Sequence, residues 1–180
     1  MTHLEPSNPA PAAKPNENRG QPDVQVADQQ CGHKLDLERY RTLAVTVLMS
    51  EGVPAGAALT VVFVSSQAMA DLNAEHMGHQ GPTDVLAFPI DEHVVSQSSP
   101  APIPIMLGDV VICPDVAAAN CVTNTDSYPG HDGSVSDEID LLVVHGILHI
   151  LGMDHADDEE RNMMQASERT HLAAFSYEGR

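Results

Sequence analysis

Apolar residues recur along this chain with two different periods, which predict short strands and amphipathic helices. Four runs are rich in β-branched or alternating apolar residues, and five segments carry apolar residues at helical spacing. The predicted strands are 23–28, 58–64, 83–89 and 108–113. The predicted helices are 36–52, 65–77, 114–124, 136–151 and a last one from 157 onward. Strands alternate with helices at first and only helices follow, so the pattern predicts an α+β fold with about five helices on a small mixed four-stranded sheet.

Residues at the ends of these segments support the predicted boundaries. Asp36 can cap the first helix, and Pro114 suits the first position of the third. Asp157 and Glu160 have the spacing of a capping box, which opens the last helix.

Two segments lack periodicity and are predicted to stand outside the packed core. Residues 1–22 are rich in Pro, Asn, Ala and Gly, which is typical of a disordered tail. Residues 93–104 form an insertion rich in Ser and Pro. The stretch 23–180 is predicted to be a single domain, because its length and apolar content suffice for one core.

Three histidines at the end of the fourth predicted helix form the strongest chemical signal. His145 and His149 are four residues apart, so both side chains leave the same face of a helix. Gly152 can adopt the left-handed conformation that ends helices, and the turn can bring His155 back toward the first two. Three imidazoles leave a fourth tetrahedral position open for water. The spacing therefore predicts one catalytic Zn²⁺ per chain, although imidazoles also suit nickel, copper and iron.

The residue after the first histidine distinguishes this site from that of the metzincin proteases, which share the H-x-x-x-H-x-x-G-x-x-H spacing. Those enzymes carry a glutamate at this position as general base, whereas this chain has Gly146. The machinery for peptide hydrolysis is therefore incomplete, and the water must be deprotonated by another group or by the metal alone.

The charge balance argues against a broad surface for binding nucleic acid. The chain has 8 Lys and Arg against 26 Asp and Glu, a net charge of −18 at pH 7. No Lys or Arg lies between Arg41 and Arg161, whereas surfaces that bind phosphate backbones cluster these residues. A bound metal is then the strongest positive charge available to the central part of the chain.

Cysteine usage and hydropathy predict a cytoplasmic protein. The three cysteines, Cys31, Cys113 and Cys121, form no C-x-x-C pair and are predicted to be free thiols in a reducing compartment. No run of about 18 apolar residues predicts a membrane span, and no basic-then-apolar signal segment is visible.

Three blocks of the sequence resemble the YbeY family of bacterial zinc-dependent endoribonucleases, which act in ribosomal RNA maturation and ribosome quality control. Residues 145–155, His-Gly-Ile-Leu-His-Ile-Leu-Gly-Met-Asp-His, resemble the family signature. Leu-Asn at 72–73 with Thr-Asp-Val-Leu-Ala-Phe-Pro at 83–89 resembles a second block, and 108–114 a third. The blocks stand in the family's order.

The resemblance implies a single-strand-specific endoribonuclease that acts in 3′-end maturation of 16S ribosomal RNA, with the small ribosomal subunit as partner. His145, His149 and His155 match the family's zinc ligands. Asp84, with Thr83, matches the family's cleft-lining strand block, and Asp154 matches the acidic residue before the last ligand. Asp84 and Asp154 are the candidate catalytic residues. Asp154 could instead orient a ligand ring or cap the next helix.

One position departs from the family pattern. The family usually has an arginine five residues after the leucine of the Leu-Asn pair, and this chain has Met77 there. A methionine cannot bind phosphate. His76, His79 and Arg161 are the candidates to replace that arginine.

Two other classes of function stay open. The metzincin spacing favours a zinc metallopeptidase-like hydrolase, and Gly146 argues against it. A non-catalytic, zinc-stabilised factor associated with the ribosome fits the acidic surface, which suits docking on basic ribosomal proteins better than binding naked RNA. The sequence carries no signal for an oligomeric state.

Overall fold

The structure, a computed structural model, describes residues 20–90, 105–154 and 156–178. The predicted tail lies outside the described residues except for positions 20–22, and the predicted insertion at 93–104 lies outside them entirely. His155 is also outside the described residues. The division into a tail and a single domain therefore stays a prediction.

Four strands and five helices are formed by the described residues. The strands are β1 (Asp23–Asp28), β2 (Ala58–Phe63), β3 (Val85–Pro89) and β4 (Met106–Ile112). The helices are α1 (Leu37–Ser50), α2 (Ser66–Met77), α3 (Pro114–Asn120), α4 (Val135–Ile150) and α5 (Asp158–Glu178). The predicted α+β fold, with about five helices on a mixed four-stranded sheet, is confirmed.

The sheet has the order β1-β2-β4-β3 and covers two separate cores. β1, β2 and β4 run parallel, while β3 is antiparallel to β4 at one edge. Alternate residues of β2, such as Leu59 and Val61, are buried in the main core with α1 and α4. The opposite face carries a smaller core around Met69 of α2 and Val111 of β4. The edge strand β3 lies against α4, and this contact forms the floor of the site described below.

Three predicted boundaries are wrong. β4 begins at Met106 instead of 108, because Met106 already pairs with Ala58 of β2. α3 ends at Asn120, four residues before the predicted end, because the backbone bonds that follow span three residues instead of four, as in Thr123 N–H to the Asn120 carbonyl at 2.9 Å. β3 begins at Val85 instead of 83, because the Asp84 carboxylate accepts the Val85 N–H at 2.8 Å. The predicted caps at Asp36 and Pro114 are confirmed.

The predicted free thiols are confirmed for all three cysteines, of which Cys31 is exposed and the other two are buried. In the described part of the chain, no helix is both long enough and apolar enough to cross a membrane.

An ion pair between a half-buried arginine and a buried aspartate ties α1 to α4, the helix that carries the two described histidines of the predicted site. Arg39 of α1 donates from Nε to Asp140 Oδ1 at 3.2 Å and from Nη2 to Oδ2. The same guanidinium lies 5.2 Å from the ring centre of Phe175 on α5. Burial raises the pKa of Asp140 to about 6, although Arg39 acts in the opposite direction. Arg39 therefore compensates a carboxylate whose ionised form the protein interior disfavours.

Replacing Arg39 by glutamine should lower the free energy of unfolding by about 1–3 kcal/mol at pH 7, because it leaves the buried Asp140 carboxylate without its half-exposed partner. In the folded protein the raised pKa of Asp140 favours its neutral form below about pH 6, and that stabilisation is lost as the pH rises through 6. The loss caused by Arg39→Gln should therefore be smaller at pH 5 than at pH 7. Urea denaturation at both pH values measures it.

Arg41→Gln is the matched control, because Arg41 pairs with an exposed carboxylate, Glu38, at 2.6 Å. This variant should change stability by less than about 1 kcal/mol at either pH. A loss for Arg39→Gln that is the same at pH 5 and pH 7 would contradict the assignment of the effect to Asp140.

Candidate metal centre and cleft

A cavity of about 670 Å³ lies between the edge strand β3 and the C-terminal end of α4. Its wall comes from the end of α2, from β3 with the residues before it, and from the last turns of α4. The wall includes His145 and His149 together with both predicted acidic residues, Asp84 and Asp154. The structure thus brings together all the predicted site residues that it describes.

The two histidines of α4 direct their Nε2 atoms at one another, 3.1 Å apart. Each Nδ1 atom has a different partner, Glu168 Oε1 at 2.8 Å for His145 and the Met153 carbonyl oxygen at 2.9 Å for His149. A carboxylate and a carbonyl both accept hydrogen bonds, so each Nδ1 carries the proton and donates it. Both rings therefore hold their lone pairs at Nε2, on the side where the rings converge.

This donor set fits a metal ion. Two nitrogen lone pairs that face each other at 3.1 Å repel unless a cation or a proton lies between them. Tetrahedral ligands at about 2.0–2.1 Å from zinc lie roughly 3.3 Å from each other, which is close to the observed separation. The described residues contain no third His, Cys, Asp or Glu that completes a group of three. The role of His155 as third ligand stays a prediction.

The turn after α4 supplies the carbonyl group that orients His149. Gly152 has a φ of +92°, in the left-handed region that favours glycine. Its N–H bonds the His149 carbonyl at 3.0 Å, and the Met153 N–H bonds the Leu148 carbonyl at 2.9 Å. These two bonds form a Schellman motif, which turns the chain so that the Met153 carbonyl faces the imidazole. The predicted left-handed Gly152 is confirmed.

Glu168 of α5 orients His145, and the sequence analysis did not identify it. The residue is 2% exposed, and its second oxygen accepts the Tyr128 hydroxyl at 2.8 Å. Burial and the Glu168 carboxylate raise the pKa of Tyr128, so the hydroxyl keeps its proton and donates it. One signal was present in the sequence: Glu168 lies four residues from both Met164 and Leu172, on the apolar face of α5.

A second buried carboxylate holds the loop that carries Tyr128. Glu138 of α4 is 1% exposed and accepts from Asn124 Nδ2 at 2.9 and 3.0 Å. His131 Nε2 lies 2.9 Å from the same carboxylate, while His131 Nδ1 accepts the Gly133 N–H at 3.2 Å. His131 is therefore a neutral donor to Glu138. The loop between α3 and α4 is fixed by this pairing, and with it the position of the Tyr128 hydroxyl.

Gly146 leaves no space for a general base directly after His145. A Cβ atom at this position would lie 2.4 Å from Cγ1 of Val110 on β4. Real Cβ atoms do not approach so closely, so α4 packs on the sheet at a distance that only glycine permits. The lack of the metzincin glutamate is therefore coupled to the packing of α4 on β4.

Asp84 is held in one orientation at the rim of the sheet. Its Oδ1 accepts from the Val85 N–H at 2.8 Å and from Thr83 Oγ1 at 3.2 Å. Its Oδ2 accepts from Asn120 Nδ2 at 3.3 Å. A carboxylate has about four acceptor sites, so Asp84 keeps capacity for one further donor in the cleft.

Asp154 is exposed in the wall of the cleft. It is not the cap of the next helix, because Asp157 Oδ1 accepts the Glu160 N–H at 2.9 Å and α5 begins at Asp158. The predicted capping role of Asp154 is therefore wrong, and its roles as a catalytic residue or in orienting a ligand ring stay predictions.

The candidates for the missing arginine occupy different environments. Met77 lines the cleft and is 46% exposed. His76 packs edge-on against Phe88, with ring centres 4.9 Å apart. Arg161 lines a second, smaller cavity of about 210 Å³ that also has His145 in its wall. Neither His76 nor His79 is part of the wall of either cavity.

The sequence matches a known family over most of its length. A model of the family described as Endoribonuclease YbeY matches residues 25–176. A protein of that name from Salinispora tropica is 41% identical over 157 residues, which cover 84% of this chain and 95% of that protein. A protein of the same name from Thermobifida fusca is 42% identical over 152 residues, which cover 84% of this chain and 93% of that protein.

A solved structure shares the fold. The solution structure of a Thermotoga maritima protein matches with a TM-score of 0.57 at 24% sequence identity. The match covers 86% of this chain and 90% of that chain. It supports the α+β architecture described above.

Replacing Glu168 by glutamine should weaken zinc binding by about tenfold or more, because a neutral amide no longer holds His145 Nδ1–H as a carboxylate does. Competition with a chromophoric chelator measures the affinity. Glu51→Gln is the matched control. Glu51, at the end of α1, accepts an equivalent bond from Nε2 of His171 at 2.7 Å, and His171 lies on another part of α5. Equal zinc affinities for Glu168→Gln and Glu51→Gln would contradict the role assigned to Glu168.

Proposed function

The chain belongs to the YbeY family, and from this premise we propose that it is a metal-dependent endoribonuclease that hydrolyses phosphodiester bonds in single-stranded RNA. The observation that carries the proposal is the convergence of His145 Nε2 and His149 Nε2 at 3.1 Å in the wall of a large cleft. The relatives in Salinispora tropica and Thermobifida fusca are both named Endoribonuclease YbeY.

The proposed metal is one Zn²⁺ per chain, held by His145, His149 and His155. When bound, such an ion supplies a Lewis acid for a phosphoryl oxygen and lowers the pKa of water toward neutrality. The protein's part is to hold the proton of each described imidazole at Nδ1, so that Nε2 faces the cleft. Glu168 and the Met153 carbonyl accept hydrogen bonds from the two Nδ1 atoms, at 2.8 and 2.9 Å.

Asp84 is the proposed general base, with Asp154 as the second candidate. Asp84 lines the cleft in a fixed orientation, and its carboxylate has room for one more donor, such as an attacking water or a ribose 2′-hydroxyl. Asp154 lies in the same wall, beyond the turn at Gly152. No base can stand at position 146, because the packing of Gly146 on Val110 excludes a side chain.

The proposed substrate is ribosomal RNA, with action in 16S 3′-end maturation and ribosome quality control in the cytoplasm. The acidic surface, with a net charge of −18, fits docking of the protein on basic ribosomal proteins of the small subunit. Two arginines of the described chain, Arg39 and Arg41, pair with carboxylates of the protein itself and lie outside both cavities, so they offer no broad basic surface for naked RNA.

His149→Ala should abolish both zinc binding and RNA cleavage, because it removes one of two converging nitrogens. Metal content by mass spectrometry and cleavage of a single-stranded ribosomal RNA fragment measure the two effects. His33→Ala is the control, since this histidine pairs with Asp115 at 3.0 Å and lines neither cavity. Cleavage by His149→Ala at the wild-type rate would refute a metal mechanism.

The same assay separates the alternative functions. Hydrolysis of a casein-like substrate without cleavage of RNA would favour a metallopeptidase, which Gly146 disfavours. Full zinc content and ribosome binding without turnover of either substrate would favour a non-catalytic ribosome-associated factor.

Asp84→Asn should lower kcat by about 10²–10⁴-fold while zinc content stays unchanged, if Asp84 is the base. Asp154→Asn is tested in the same assay. If Asp154→Asn lowers kcat more than Asp84→Asn does, Asp154 is the base. Asp71→Asn is the control, because Asp71 accepts a hydrogen bond from Gln67 on α2 and lines neither cavity. Unchanged kcat in both Asp84→Asn and Asp154→Asn would leave the metal to activate the water alone.

A further inference from the structure

A second cavity shares His145 with the main cleft. This side cavity has a volume of about 210 Å³ and is lined by Tyr128, His145, Arg161, Met164, Gln165 and Glu168. It is smaller than the pockets that enclose drug-sized ligands, which take about 300–1,000 Å³. A substrate that occupies the cleft beside His145 can therefore extend only a small group into the side cavity.

The donors of the side cavity suit an anion. Arg161 and Gln165 are four residues apart and leave the same face of α5, with five N–H groups on the guanidinium and two on the amide. The carboxylate of Glu168 lies in the same wall, where one oxygen accepts from His145 and the other from Tyr128. Arg161 and Gln165 supply the N–H groups that can bind an anion in this cavity.

Arg161 is the one Lys or Arg, among the residues that the structure describes, in the wall of either cavity that contains His145. Its present partner is Asp158, at 2.7 Å and three residues away on the same helix. Asp158 is 94% exposed and Arg161 is 50% exposed at the side chain. Exposed pairs of this kind are weak, so the guanidinium can exchange Asp158 for a ligand at little cost.

We propose that the side cavity is a subsite for a backbone phosphate of the RNA next to the scissile one, and that Arg161 binds that phosphate. The inference rests on the proposed endoribonuclease function and adds a substrate-binding residue to it. Guanidinium groups bind phosphate with two parallel N–H bonds, which also fixes the direction of the strand across His145. The subsite supplies the cation that Met77 cannot.

The salt dependence of RNA binding tests this proposal. The affinity of zinc-loaded protein for a single-stranded oligonucleotide can be measured between 50 and 200 mM salt, over times shorter than one turnover. One phosphate contact contributes about 0.7 to the slope of log K against log salt for a single strand. Arg161→Gln should lower the slope by about this amount and raise KM for cleavage about tenfold, with kcat within about twofold of wild type.

Three further variants isolate the role of the guanidinium. Arg41→Gln removes the same charge from an equivalent pair three residues apart, Arg41 with Glu38, outside both cavities, and should leave slope and KM unchanged. Arg161→Lys keeps the charge and should retain the slope with a smaller rise in KM, because lysine lacks the paired donors. Asp158→Asn releases Arg161 and should bind the oligonucleotide at least as tightly as wild type.

The outcomes distinguish this proposal from the function on which it rests. If wild type binds and cleaves RNA but Arg161→Gln has the wild-type slope and KM, the subsite is overturned and the endoribonuclease function stands. Equal losses in Arg161→Gln and Arg41→Gln also overturn it, because general charge then explains the effect. A third outcome is that inorganic phosphate competes with RNA in the wild type but not in Arg161→Gln, while both proteins bind RNA equally well. In that case the side cavity binds free anions and not the RNA strand, and the subsite is overturned. If wild type neither binds nor cleaves RNA, both proposals fail.

Discussion

The Nε2 atoms of His145 and His149 converge at 3.1 Å, and the two rings can share a cation there only if each keeps its proton at Nδ1. The proposed site depends on this constraint. The helical spacing of His145 and His149 brings the rings together, but it does not decide which nitrogen faces the cleft. That decision comes from two acceptors with different origins, a carboxylate on α5 and a carbonyl of the turn after α4. The position of α5 and the left-handed Gly152 are thus part of the metal chemistry.

The packing of α4 restricts the chemistry further. Gly146 lets the helix lie against Val110, and this contact excludes a base beside His145. The proposed base, Asp84, stands elsewhere in the wall of the cleft, where three donors fix its carboxylate. Arg39 and Glu138 hold α4 from its other sides with buried polar bonds. Within the described residues, no buried side-chain polar atom lacks a partner, so the site stands in a fully bonded frame.

Local patterns predicted the elements of the fold and part of the site. Hydrophobic periodicity and capping residues identified each strand and helix of the part of the chain that the structure describes, and the spacing of His145 and His149 identified the converging pair. The end of α3 was missed because the change from four-residue to three-residue backbone bonds leaves no periodic signal in the sequence. Glu168 and the side cavity were missed for a different reason: they depend on which face of α5 meets α4, and contacts between residues more than twenty positions apart leave no spacing rule in the sequence. A carboxylate on an apolar helix face is the one trace they leave.

The most direct test of the account is the protonation of the two imidazoles. Long-range ¹H–¹⁵N correlation spectra of the ¹⁵N-labelled protein, recorded with ¹¹³Cd²⁺ in place of zinc, report which ring nitrogen carries hydrogen and which couples to the metal. The account predicts that His145 and His149 each carry hydrogen at Nδ1 and couple to cadmium through Nε2. Coupling through Nδ1 in either ring, or spectra of both rings that do not change with the metal, would contradict it.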